Sequence, residues 1–277
     1  GEKALIDAKI NKASMKIIDN NQIALDRAKK LFKKYKLDLK TECKTLFDLK
    51  AKDMTGYDIV FCEAVLHHTY NPLRALDHLC SIIPSGAIVL IATSETNGWY
   101  QRSLQRDFII NNSTNNEDII KIAKKYFPDH IRRAKKYGLR STNQIIYDSF
   151  VNPQDQPIDI EKILLTFKKY RFDFIQSFPS IASPFHKEPI NQEEIDNLNI
   201  KKYKKYLAFL KILWRTGYHK NFDFFDVKEI KKIKAHDKKL ALLRSDIDSR
   251  KTKVRNLSLI QKGSMGYGVS YFTVCKN

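Results

Sequence analysis

The stretch Tyr57–Thr69, YDIVFCEAVLHHT, concentrates the groups best placed to do chemistry. A short apolar run ends there in a loop carrying Cys62, Glu63, Ala64 and the adjacent His67 and His68. In open α/β sheets, ligands bind outside the carboxyl ends of the strands, so this loop stands where a ligand would sit. Asp19 stands in the same way at the end of an earlier run, Ser14–Ile18. Its carboxylate can accept two hydrogen bonds from a ribose diol, or it can cap the helix that follows. On a helix His67 and His68 would diverge by about 100°, which keeps them from sharing one metal. They read as structural or as acid/base groups, and Glu63 as a site carboxylate or a solvated loop charge. The remaining histidines (His78, His130, His186, His219, His236) show no metal-ligand spacing, and no metal is expected. Cys43, Cys62, Cys80 and Cys275 are widely spaced and form no CxxC pair. That fits free thiols in a reducing compartment better than a zinc ribbon or a disulfide framework.

The elements that must position these groups alternate in type. Residues 2–12 read as a helix, Ser14–Ile18 as a short strand, 21–36 as an amphipathic helix and Leu39–Lys44 as an edge strand. Tyr57–Cys62 reads as a buried strand, 71–82 as a helix, Pro84-Ser85-Gly86 as a turn and Ala87–Ala92 as the most hydrophobic strand. Strands alternating with helices give βαβ units, hence a doubly wound, mostly parallel sheet with helices on both faces. Beyond residue 99 the pattern is mainly helical, with a long candidate helix over 117–136 that Pro128 kinks or divides. Asp159 is a plausible N-cap for 160–170. Arg171–Phe178 and Gly266–Lys276 read as strands, with basic helical sequence over 190–250 between them.

The chain of 277 residues has room for one large domain or one domain with a sizeable insertion. Its formal charge of +19 is uneven, since residues 199–262 hold 19 Lys or Arg against 6 Asp or Glu. Such a block suits nucleic acid or an anionic membrane. A Lys-, Ile- and Asn-rich composition throughout offers a plainer origin. Within the block, Tyr203, Tyr206, Phe209, Trp214 and Tyr218 recur near helical spacing with Leu207, Leu210 and Leu213. This predicts a buried face with the lysines turned to solvent. No apolar run is long enough to span a bilayer and no signal peptide is apparent, so a cytoplasmic location is expected.

Taken in order, these segments resemble the class I, seven-strand, Rossmann-like S-adenosylmethionine-dependent methyltransferases, especially a branch with a VLHH segment after the fourth strand. The resemblance covers residues 1–97 and continues through 159–178 and the last strand. It implies S-adenosyl-L-methionine as cofactor, with Asp19 and Asn20 at the ribose, Thr45, Leu46 and Phe47 at the adenine, and Cys62, Glu63 and Ala64 lining the methionine side. Thr45 replaces the family's usual acidic residue, so contact to the adenine amino group would be absent or come from backbone. Gly1 stands as the last glycine of the family's glycine-rich motif, with the first strand missing. That strand is central in the family's sheet, so its lack predicts unpaired strand edges, an uncovered core face and a gene product that continues upstream.

The resemblance also implies an organisation. Residues 1–98 form the cofactor-binding half, 99–158 a helical substrate-side segment, 159–178 a helix and strand of the core sheet, 179–262 the basic insertion and 263–277 the last strand. The strand-four loop reads CEAV and not an Asn-Pro-Pro-aromatic motif, which favours O- or C-methylation of a small molecule. An RNA methyltransferase and a non-catalytic methyltransferase-like binding protein are the alternatives. Trp99, Tyr100 and Phe108 follow the fifth strand, as substrate contacts or as core. The catalytic residues and the oligomeric state are not assigned by the sequence.

Overall fold

A computed structural model describes residues 2–136, 140–152, 155–179, 181, 201–218, 227–251, 253–263, 265–266 and 268–277. The chain divides into two compact units, Gly1–Tyr57 with Asp77–Pro84, and Asp58–Leu76 with Ser85–Asn277. Gly1 and His186 lie outside the described residues.

In the first unit, helix α1 (Glu2–Asn11) leads into strand β1 (Lys16–Asp19), helix α2 (Gln22–Lys34), strand β2 (Lys40–Cys43) and a short helix α3 (Ala51–Met54). β1 and β2 pair in parallel, with Asp19 opposite Cys43. The apolar stripe of α2 buries Leu25, Ala28 and Phe32, as helical spacing requires. The cap of α2 is Asn21, whose side chain accepts from the backbone N–H of Ile23 at 3.0 Å and of Ala24 at 3.2 Å. Asp19 is not the cap. Its Oδ1 accepts the Asn21 backbone N–H at 2.8 Å, and the residue is half-buried at the end of β1.

In the second unit, β3 (Ile59–Glu63), β4 (Ile88–Thr93), β5 (Phe172–Phe178) and β6 (Ser270–Lys276) form one sheet in the order β3–β4–β6–β5. β3 and β4 are parallel, and β6 is antiparallel to both β4 and β5. Three of the four strands therefore run one way and β6 alone is reversed. The expected neighbours 172–178 and 270–276 pair despite the long helical stretch between them. Among the described residues β1 pairs only with β2, and β3 only with β4. The sheet face bearing Ile59, Phe61 and Ile88 is exposed, while Val89, Ile91, Phe272 and Val274 are buried on the opposite face. Phe167 of helix α9 (Ile160–Lys169) packs on that covered side, with its ring 6.0 Å from Phe172 and 6.1 Å from Phe272.

The helices after β4 are α5 (Tyr100–Asn111), α6 (Asn116–Tyr126), α7 (Pro128–Lys136) and α8 (Thr142–Ile146), so Pro128 divides the long candidate helix in two. Helix α4 (Pro72–Ile82) precedes β4, and α10 (Lys201–Thr216), α11 (Val227–Asp248) and α12 (Ser258–Gln261) follow β5. Leu104, Phe108, Phe127, Ile131 and Phe150 share one core with Leu240, Leu243, Ile247 and Ile260. The helices between residues 100 and 151 and the later half of the basic stretch are thus packed together. In α10, Leu207, Leu210, Leu213 and Trp214 are buried, Tyr206 and Phe209 are half-buried, and Lys204 and Lys205 are exposed. The aromatic stripe faces inward, as its spacing predicts. The side chain of Tyr203 lies outside the described residues.

Because Asn21 and not Asp19 caps α2, Asn21→Ala is expected to lower stability by about 1 kcal/mol, the usual worth of an N-cap. Asp19→Ala is expected to leave the chemical-denaturation midpoint nearly unchanged. Unfolding curves of both variants check the assignment.

Candidate functional site

Each unit brings part of the expected site to the carboxyl ends of a parallel strand pair. In the first, the Lys44 backbone N–H donates to the Asp19 carbonyl at 3.1 Å, which keeps the ends of β1 and β2 side by side. Asn20 and Thr45 are exposed there, and Asp19 and Leu46 are half-buried. Thr45 Oγ1 donates to Asp48 Oδ2 at 2.7 Å, so a carboxylate stands beside Thr45, three residues on.

In the second unit, Glu63 is the partner of Ala92, and the Ala64 N–H donates to the Ala92 carbonyl at 2.8 Å. Ala64 takes φ 55°, a left-handed conformation that a non-glycine residue adopts at some cost, often at sites that must turn sharply. Cys62 is buried, and burial together with Glu63 pushes its thiol up to about 12. A thiol held protonated in this way is not a nucleophile.

The two histidines do not lie on an α-helix. Leu66–His68 is a single 3-10 turn, and the rings of His67 and His68 sit 4.2 Å apart at 53°, facing a common region instead of diverging. His67 is buried, and its Nδ1 accepts the Ser94 backbone N–H at 3.2 Å. Burial, reinforced by His68, pushes its pKa down to about 4, so it stays neutral with its proton on Nε2.

Two groups in this region were not picked out by the sequence. Glu95, fully buried just past β4, accepts the N–H of Asn97 at 2.7 Å, of Gly98 at 2.8 Å and of Ile160 at 3.2 Å, and the Asn97 amide at 3.0 Å. Burial pushes its carboxyl up to about 7 against those four donors. Arg215 of α10 reaches the same turn through Asn97 Oδ1 at 3.5 Å, and it is paired with Asp237 of α11. Gly266 passes so close that a Cβ there would lie 2.0 Å from the Gly98 carbonyl, which only glycine permits.

The second group is Asp155. The segment 156–158 runs beside the end of β4, with Ile158 N–H donating to Ser94 O at 2.9 Å and Thr96 N–H to Ile158 O at 3.1 Å. Gln156 N–H donates to His67 O at 2.9 Å. Those main-chain bonds bring Asp155 to His67 and His68, and ligating atoms of the three side chains lie within 4.8 Å of one another. Trp99 closes the region, its ring 6.2 Å from that of His67 and stacked under the Arg102 guanidinium at 4.4 Å. A polar residue directly after a very apolar strand, as in Ala92-Thr93-Ser94-Glu95, is a signal that could have found Glu95. Asp155 carries no such signal.

Residues 4–91 match a family model described as "Methyltransferase domain". No curated protein matches the sequence. Among solved structures, PKMT2 from Rickettsia typhi aligns at 14% identity and a TM-score of 0.51, over 74% of this chain and 43% of that one. The same protein in complex with AdoHcy aligns at 12% identity and a TM-score of 0.51, over 75% and 43%. The plantazolicin methyltransferase BpumL, with a triazolic desmethylPZN analog and SAH, aligns at 12% identity and a TM-score of 0.41, over 98% and 70%. The chain therefore spans less than half the length of PKMT2, with which it shares a fold.

Glu95 generates a prediction. Its carboxyl titrates above the ordinary 4.5, so the folded state holds the proton more tightly than the unfolded one. Stability is expected to fall as pH rises from about 4.5 to about 7, then level off. Glu95→Gln removes that slope, and by facing an amide N–H₂ towards N–H donors it costs about 1–3 kcal/mol at pH 8. Denaturation midpoints of both proteins across pH 4–8 check it.

Proposed function

We propose, on the premise that residues 4–91 form a class I, Rossmann-like methyltransferase domain, that the chain is an S-adenosylmethionine-dependent methyltransferase acting on a small-molecule acceptor. The carrying observation is the half-buried Asp19 carboxylate at the carboxyl end of β1, with Asn21 capping the helix that follows and Thr45 past the end of β2. An acidic side chain in that place is what a ribose diol requires. The residues fit the cofactor in other ways. Leu46 offers apolar surface to a purine, and the left-handed turn at Ala64 exposes backbone beside the uncharged Cys62. When bound, S-adenosylmethionine supplies an electrophilic methyl group on a sulfonium sulfur.

The chain's own residues then hold and orient. In the first unit Asp19 binds the ribose; in the second, Cys62 is a buried, protonated thiol that does not compete as a nucleophile. A small-molecule acceptor is favoured over RNA by α10. Stacking on bases needs accessible rings, whereas the described aromatic side chains of α10 are buried or half-buried. Its lysines offer charge without a platform. Methylation at oxygen or carbon fits a strand-four loop of sequence CEAV.

Calorimetric titration with S-adenosylhomocysteine tests the reading. The wild-type chain is expected to bind, and Asp19→Ala to weaken binding by about 1.5–3 kcal/mol, the range for hydrogen bonds to a charged group. Unchanged affinity in Asp19→Ala would remove that residue from the site. A wild-type chain that takes up no S-adenosylhomocysteine would overturn the function.

A further inference from the structure

We propose that Asp155, framed by His67 and His68, takes the proton from the methyl acceptor, and that the acceptor group is a hydroxyl. This rests on the methyltransferase reading and names its acceptor class. Asp155 is 8% exposed, and its Oδ1 is buried with no hydrogen-bond partner among the described residues. A buried carboxylate oxygen without a donor is costly and rare in a folded chain, so the position calls for a donor from outside it. The neighbouring imidazole atoms lie within 4.8 Å of the carboxylate, a gap that one small polar group spans. The surrounding geometry is fixed by main-chain bonds from Gln156 and Ile158 and stands beyond the carboxyl ends of β3 and β4. His68, which is exposed, is the side from which a ligand enters.

The chemistry of the three side chains selects the ligand. Ser94 N–H occupies His67 Nδ1, so Nε2 carries the proton and is a donor and not a metal ligand. Arg102 and Arg106 both act electrostatically on Asp155, which further disfavours a divalent cation beside it. A carboxylate ligand would set one anion against another. An ammonium would satisfy Asp155 but leave the His67 N–H facing a cation. A hydroxyl serves both, since its O–H donates to Asp155 Oδ1 and its oxygen accepts from His67 Nε2–H. As that oxygen forms its bond to the methyl carbon, the carbon–sulfur bond breaks with its electron pair going to sulfur. The hydroxyl proton passes to Asp155 and leaves to solvent on the His68 side.

Phenol and its O-methyl counterpart anisole probe the site directly. Long-range proton–nitrogen spectra of the histidine rings, recorded on the full chain with S-adenosylhomocysteine present, are expected to show saturable shifts of His67 and His68 with phenol and none with anisole. Asp155→Asn, with its fold checked by circular dichroism, is expected to bind phenol about tenfold more weakly, the loss of a hydrogen bond to a charged group. Should that variant unfold, the comparison of phenol with anisole on the wild-type chain decides alone. Equal effects of phenol and anisole, no effect of phenol, or undiminished phenol binding by folded Asp155→Asn would overturn the proposal. So would micromolar Zn²⁺ binding that displaces the His67 Nε2 proton. Calorimetry of S-adenosylhomocysteine on the same sample separates the two claims. Cofactor binding without phenol discrimination removes the acceptor site alone, and no cofactor binding removes the methyltransferase reading.

Discussion

Glu95 is a buried carboxylate at the end of β4, and burying it is tolerable only because four N–H groups converge on it. Its donors come from the turn after the strand and from the first residue of α9. One side chain thus fixes where the chain leaves the sheet and where it returns. The Ser94 N–H that sets the tautomer of His67 belongs to the residue just before it. Ile158, whose backbone bonds put Asp155 beside the histidines, forms a parallel bridge with Glu95 itself. Through Asn97 and Arg215 the same turn is tied to α10 and α11. The region beyond the end of β4 is organised around this one carboxyl, and burial pushing it up to about 7 is the cost of that arrangement.

The order of elements was legible because each rests on local signals. Apolar runs bounded by turns gave the strands, helical spacing gave α2 and α4, and Pro128 marked the break between α6 and α7. The pairing of β5 with β6 followed from the resemblance, supported by the apolar, alternating character of both segments. Inward aromatic packing in α10 followed from periodicity alone, with Trp214 buried and Lys204 exposed.

What was not legible depended on contacts between distant residues or on fine local geometry. Asp155 lies far along the chain from His67, and a loop residue next to Gln and Pro has no pattern that announces a site. The divergence expected for His67 and His68 assumed an α-helix, but a single 3-10 turn brings their rings together. Asp19 and Asn21 are both good caps, and propensity does not separate two such residues so close together. The residues expected at the cofactor fall in two units, Asp19, Asn20, Thr45 and Leu46 in one and Cys62, Glu63 and Ala64 in the other. Each half is ordered by its own parallel strand pair.

On the proposed function, the carboxyl ends of these strand pairs take part in binding S-adenosylmethionine and its product. Hydrogen exchange read by mass spectrometry, with and without S-adenosylhomocysteine, tests that claim across the whole chain at once. Added protection is expected in peptides spanning Asp19–Asn21, Lys44–Leu46 and Cys62–Val65, with little change in α11. Protection confined to the basic helices α10 and α11, with the strand ends unchanged, would contradict it.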